Sequence, residues 1–205
     1  MVKEIDELIR ALSKQEGSPK IRNPYRGESG EAKIRRKNLK KYLLKMFQMQ
    51  TDTLLLGEAP GYKGCGITGI PFTSESVLAS NPFFREQGFE CLHATDQLAR
   101  EISATIVWGV LDSCLKKPLL WNMCPFHPHR PGNPQSNRTP DRHELYDGVP
   151  YLQELIRIFP IQKIIALGRK AESTLTELGM DTIYVRHPAN AGKRQFEKGI
   201  KDILI

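Results

Sequence analysis

No run of about 18 apolar residues, the length a membrane-spanning helix needs, occurs in this chain of 205 residues. Cysteine is sparse. The four present, at 65, 91, 114 and 124, form no CxxC pair and show no His/Cys spacing suited to a metal. That pattern disfavours a disulfide framework or a resident metal and points to free thiols in a reducing, cytoplasmic setting. The opening Met1-Val-Lys-Glu-Ile-Asp-Glu-Leu-Ile is charged and amphipathic, which is not the pattern of a secretory leader. Repeats, low-complexity tracts and linkers are lacking. One domain over 1–205 is expected, with residues 1–50 as a helical extension packed on it.

Two phosphate-binding signatures are also missing. Gly64-Cys-Gly66-Ile-Thr-Gly69 fits G-x-G-x-x-G, but a dinucleotide fingerprint follows its strand at once and opens a helix. Here Gly64 lies seven residues past Gly57, and Pro71-Phe72 comes directly after the pattern. No Gly-Lys-Ser/Thr closes the run, which excludes a P-loop.

The organising stretch is Leu54 to Ser74. Thr53 to Leu56 is a short apolar run suited to a strand buried on both faces of a parallel sheet. After Gly57 come four more glycines and two prolines before Ser74, a composition expected to hold neither helix nor strand. Three further strands are expected at Leu119–Asn122, Lys163–Leu167 and Thr182–Val185. Helices are expected over Ile5–Leu12, Glu31–Met49, Glu75–Phe89 (interrupted near Asn81-Pro82) and most of Thr95–Leu115. Others are expected from an Asp141 N-cap to Ile158, broken at Gly148 and Pro150, over Arg169–Leu178, and from Lys193 onward. Short buried strands alternating with helices describe an α/β fold, a three-layer α/β/α sandwich around a four-stranded parallel sheet.

In such a sheet the strands' carboxyl ends share one edge, where ligands bind. Glu58 and Phe72 follow the first strand, Asn122 closes the second, and His187 follows the fourth. Each has an ordinary explanation as a solvated, core, backbone-satisfying or capped residue, but all four fall on one edge. A carboxylate can orient water and offset a developing cation. An imidazole can donate to a developing oxyanion. An amide matches the paired donor and acceptor edge of a pyrimidine, and an aromatic ring gives a base something to stack on. These are the parts of a site for a nucleobase leaving a sugar.

The net charge of +7 permits a polyanionic partner. Basic residues crowd Lys33 to Lys45, where a solvated helix face explains them equally well, and again Arg186 to Lys201, beside His187.

Several motifs resemble the uracil-DNA glycosylase superfamily. Gly57-Glu58-Ala59-Pro60-Gly61 is similar to the first motif of its iron–sulphur branch, and Thr68-Gly69-Ile70-Pro71-Phe72 to the base-stacking segment of the single-strand-selective monofunctional branch. Trp121-Asn122-Met123-Cys124-Pro125 resembles that branch's base-reading strand end, with Gly132-Asn133 and Asn137-Arg138-Thr139-Pro140 like its following loop. Leu167-Gly168-Arg169-Lys170-Ala171 recurs in the superfamily, and His187-Pro188-Ala189 resembles its terminal motif.

The resemblance implies hydrolysis of the N-glycosidic bond of uracil, or a related deaminated base, in single- or double-stranded DNA. Glu58 and His187 would be catalytic. Gly57, Ala59, Pro60, Gly61, Phe72 and Asn122 would bind the base, and Arg186, Pro188, Asn190, Lys193 and Arg194 the DNA. No cofactor is expected, because the cluster-binding branch has a CxxC near its N-terminus and residues 1–64 here hold no cysteine. A monomer is expected. Two positions depart from the pattern. Ala59 stands where other branches carry a water-activating Asp or Asn. The small or polar Asn190-Ala191-Gly192 replace a bulky wedge, so either Arg194 or Phe196 fills that role or strand invasion is weak and single-stranded DNA is preferred. A catalytically inactive DNA-binding module on the same fold is the alternative.

Overall fold

The computed structural model describes residues 1–85 and 88–205. The elements run α1 (Val2–Lys14), β1 (Ile21–Arg22), α2 (Gly30–Gln48), β2 (Thr53–Gly57), α3 (Cys65–Thr68), α4 (Glu75–Ser80), α5 (Pro82–Arg85) and α6 (Ile102–Leu111). They continue with β3 (Leu119–Asn122), β4 (His127–Pro128), α7 (Arg142–Tyr146), α8 (Val149–Ile158), β5 (Lys163–Leu167), α9 (Arg169–Glu177), β6 (Ile183–Val185) and α10 (Lys193–Leu204). Strands β3-β2-β5-β6 form the expected four-stranded parallel sheet, flanked by helices.

Every residue of β2 and β3 is buried, as their unbroken apolar runs require. Burial in β5 and β6 is confined to the carboxyl ends, at Ile165–Leu167 and Val185. The chain leaves β2 for β3 on one side, then crosses to β5 on the other, so its direction reverses beside β2. Ligand crevices of open α/β sheets form at such a reversal. Helices α1, α2 and α8 pack together, and α6 packs on α10. Ile5, Leu8, Ile9 and Leu12 give α1 one apolar stripe, which is buried.

Three expectations need correction. The glycine-rich stretch does hold a helix, the single turn α3. Gly64 precedes it and Gly69 ends it in the left-handed region at φ 79°, so these two glycines bracket the turn, with Gly66 inside it. The segment from Thr95 becomes helical only at Ile102. The fourth strand of the sheet, expected from Thr182, begins at Ile183, and the two-stranded ladder of β1 with β4 was not anticipated. The expected helix through Phe89 is seen as α4 and α5, and its positions 86 and 87 lie outside the described residues.

The late start of α6 has a physical cause. The Glu75 carboxylate is fully buried and accepts hydrogen bonds from the backbone N–H groups of Leu92, His93 and Ala99, and it meets His93 Nδ1 at 2.7 Å. These bonds bind residues 92–99 into a loop that a helix could not satisfy. Burial alone would raise the Glu75 pKa, but the hydrogen bonds outweigh it and hold the carboxyl below its ordinary value. A lowered pKa makes the stability it contributes present above the ordinary carboxyl range and lost as pH falls through the folded-state value. Glu75→Ala, which leaves three N–H groups unpaired, should cost about 3 kcal/mol in urea unfolding at neutral pH. The variant's deficit should shrink in acid.

Candidate functional site

The register of the sheet builds the site. Gly57 lies opposite Asn122, and the ladder continues past both strand ends through Met123 N–H to Gly57 O (2.8 Å) and Cys124 N–H to Glu58 O (3.0 Å). Glu58 and Asn122 are therefore neighbours. Gly57 is required here, since a Cβ would lie 2.1 Å from Phe72 Cζ and 3.0 Å from Asn122 Oδ1. Backbone, ring and amide are packed as closely as the absence of a side chain permits.

Phe72 occupies the left-handed region at φ 54°, a conformation that costs a residue with a Cβ on the order of 1 kcal/mol or more. Its surroundings enforce it. Trp108 Nε1 donates to Phe72 O at 3.1 Å, and the hydroxyls of Thr68 and Thr73 bond each other at 2.6 Å. Tyr25 donates its hydroxyl to Gly69 O, and Asn38 its amide to Thr68 O. The ring is thus held from α2, α6 and the β1–α2 segment together.

His187 has a defined tautomer. Ala189 N–H donates to its Nδ1 at 3.1 Å, which leaves the proton of the neutral ring on Nε2, ready to donate. Burial first and the Arg186 charge second lower its pKa below the ordinary histidine value, so the ring is neutral at pH 7. The turn that follows contains Asn190 and Ala191 with φ of 52° and 60°. Gly192 completes it, because a Cβ there would sit 2.0 Å from His187 O.

Glu58, Ala59, Pro60, Gly61, Phe72, Asn122, His187, Arg186 and Asn190 line one cavity of about 630 Å³ at the sheet's carboxyl edge, a size suited to a small-molecule or base-sized guest. Gly57 supports it from beneath. Burial raises the Glu58 pKa, while the Lys170 charge and the Thr139 hydroxyl pull it back toward the ionised form. The first motif is also tied to β4 and the loop after it, through His127 Nδ1 to Pro60 O (2.8 Å) and Tyr62 N–H to Asn137 Oδ1 (3.1 Å).

Three of the residues expected to contact DNA lie outside the cavity wall. Pro188 is buried and absent from the cavity wall. Lys193 and Arg194 lie on the exposed first turn of α10, where Lys193 meets Glu197. Phe196 is fully buried in the core and cannot serve as a wedge. The basic stretch of α2 is largely engaged within the molecule. Arg35 and Arg36 donate to backbone carbonyls, Lys33, Lys37 and Lys40 pair with Glu28, Glu90 and Asp6, and Lys45 lies over the Phe83 ring at 3.8 Å. Sequence reasoning missed Glu101, Ser103 and the wall residues Arg169 and Lys170. The loop after β5 reaches the same edge by topology, which could have revealed the last two. Glu101 and Ser103 carried no local signal.

The family model described as the uracil DNA glycosylase superfamily matches residues 44–204. The chain belongs to that superfamily. A solved structure described as wild-type Pedobacter heparinus SMUG2 aligns with a TM-score of 0.68 at 18% identity, over 95% of this chain and 94% of that one. At that identity the likeness concerns the fold, and it agrees with the superfamily's parallel-sheet architecture. No curated protein matches. Within the superfamily frame, the neutral donor at His187 is the feature most open to direct measurement. Long-range ¹⁵N–¹H correlation should show the Nε2–H tautomer at pH 7, with a titration midpoint below the ordinary histidine value. A midpoint above it would refute the assigned state.

Proposed function

We propose that the protein hydrolyses the N-glycosidic bond of uracil, or of a related deaminated base, in DNA, and leaves an abasic site. The observation that carries this reading is the gathering of Glu58, Phe72, Asn122 and His187, distant in sequence, around a single cavity. The reaction develops positive charge on the sugar and negative charge on the departing base, and both need fixed partners.

In this reading the flipped base stacks on Phe72, whose strained backbone holds the ring in place before binding. Asn122, almost wholly buried, presents its amide to the base edge. His187 Nε2–H donates to the oxygen on which negative charge gathers. Glu58 in its ionised form orients water and offsets the cationic sugar, which places the burden of the missing Asp or Asn at Ala59 on its neighbour. Arg186 and Lys170 at the rim supply positive charge for phosphates. Because Glu58 must be ionised and its pKa is raised, the rate should fall in acid at a higher pH than an ordinary glutamate would impose.

Alkali-revealed strand cleavage of labelled oligonucleotides, each with one uracil, hypoxanthine or thymine, tests the proposal. Glu58→Ala and His187→Ala should each slow single-turnover cleavage by at least about tenfold while DNA binding persists. Wild-type rates in both would refute their roles. Salt-sensitive binding without any abasic product would favour the DNA-binding module instead. Asn122→Asp should shift preference toward cytosine, whose amino group suits an added acceptor. Unchanged discrimination would count against a base-reading amide.

A further inference from the structure

Turning a base out of DNA opens a gap in the stack, and a side chain that enters the gap keeps the base from falling back. The rim behind His187 supplies none. Asn190, Ala191 and Gly192 are small or polar, Phe196 is buried, and Arg194 is absent from the cavity wall. The rim formed by α6 does. Glu101 and Ser103 line the cavity, and Ile102 between them, the first residue of α6, is 80% exposed.

Lone exposed apolar residues are ordinary on a protein surface, so position decides. Among the described residues, the other large exposed apolar side chains are Met1, Val2 and Ile205 at the chain ends, with Leu115 and Ile183. Leu115 precedes β3 and Ile183 opens β6, at the sheet edge away from the cavity. Ile102 is the one beside it, and its placement is fixed by packing. The Glu101 carboxyl fills the space left by two glycines: a Cβ on Gly61 would lie 2.2 Å from Oε1, and one on Gly64 would lie 1.8 Å from Oε2. This contact seats the start of α6 against the turn after β2. Ile102 and the Tyr62-Lys63 pair, which lies between those glycines, therefore occupy adjoining stretches of the rim. Tyr62 is held in turn by its N–H, which donates to Asn137 Oδ1 on the cavity wall. Lys63 lies 5.5 Å from the Tyr62 ring centroid. Lys63 and Arg100 are exposed and, among the described residues, have no carboxylate partner. The lysines of α2, by contrast, are engaged within the molecule. An apolar point flanked by two such cations suits a base step and the phosphates on either side of it.

We propose that Ile102 is the wedge of this protein. As the damaged base enters the cavity, the Ile102 side chain inserts between the bases beside the gap, and Lys63 and Arg100 meet the flanking phosphates. This inference rests on the glycosylase reading above and adds to it the residue that sets strand preference. In a duplex the partner strand draws the base back, so the gap must be held open. A single strand pays less to expose its base and depends less on the wedge. The step is one of binding, in which no bond is made or broken.

The test compares single-turnover cleavage of one uracil-containing sequence as a single strand and as a duplex. Ile102→Ala should lower the duplex-to-single-strand rate ratio at least about tenfold, since unstacking a base step costs a few kcal/mol, and Ile102→Leu should restore it. A loss of stability alone would slow both substrates together. A second readout is independent of turnover. With a 2′-fluorinated deoxyuridine beside 2-aminopurine in a duplex, binding by wild type should raise the fluorescence, and saturating Ile102→Ala should raise it much less. An unchanged ratio with an equal fluorescence rise overturns the wedge alone. So does a ratio that falls in Arg194→Ala instead, which would move the role to α10. Wild type that cuts single strands but not duplexes also overturns the wedge while the glycosylase reading stands. Wild type that cuts neither overturns both.

Discussion

The pairing of β2 with β3 is the constraint on which the rest depends. Parallel register sets Gly57 against Asn122, and two further backbone bonds carry the alignment on to Glu58 and Cys124. A slip of one residue would turn the Asn122 side chain to the other face of the sheet, away from Gly57 and the Phe72 ring that it now meets. The register is secure because both strands are buried along their whole length, where any shift would strand apolar side chains or backbone hydrogen bonds. Placement of the carboxylate and the amide is therefore a property of the core as much as of the site.

Around that fixed pair, the other groups are held by less regular means. Phe72 and the Asn190-Ala191 turn adopt backbone conformations that resist side chains, and neighbouring elements over-determine them. Trp108, Thr73 and Tyr25 buttress the aromatic loop, while Gly192 admits the tight turn behind His187. Among the described residues, three of the four non-glycine positions with positive φ fall in the two loops that would grip the base, the fourth being Gln50 in the turn before β2, a distribution that suits a preorganised site. Glu75 extends the same logic outward: by pinning residues 92–99 it fixes where α6 begins, and so where Glu101 meets the cavity.

Much of this was legible in the sequence because it depends on local pattern. The runs Thr53–Leu56, Leu119–Asn122 and Lys163–Leu167 announce buried strands, and parallel topology then places Glu58, Phe72, Asn122 and His187 on one edge. What escaped depends on contacts between distant segments. A buried acceptor such as Glu75 looks like any helix-opening glutamate until the loop that wraps it is seen. Glu101 is likewise unremarkable in the chain, and only the missing side chains of Gly61 and Gly64 make room for its carboxyl. The basic stretch of α2 was open to either reading in the sequence. A cluster that could have met a polyanion is largely occupied by carboxylates and carbonyls of its own molecule.

The central claim is that one cavity at the β2–β3 edge receives a base turned out of DNA. A crystal structure of the protein with an oligonucleotide carrying a non-hydrolysable 2′-fluorinated deoxyuridine addresses it most directly. The account predicts the uracil stacked on Phe72, with its edge against the Asn122 amide and an oxygen facing His187 Nε2. A uracil left stacked in the DNA, or DNA held along α2 with the cavity vacant, would contradict it.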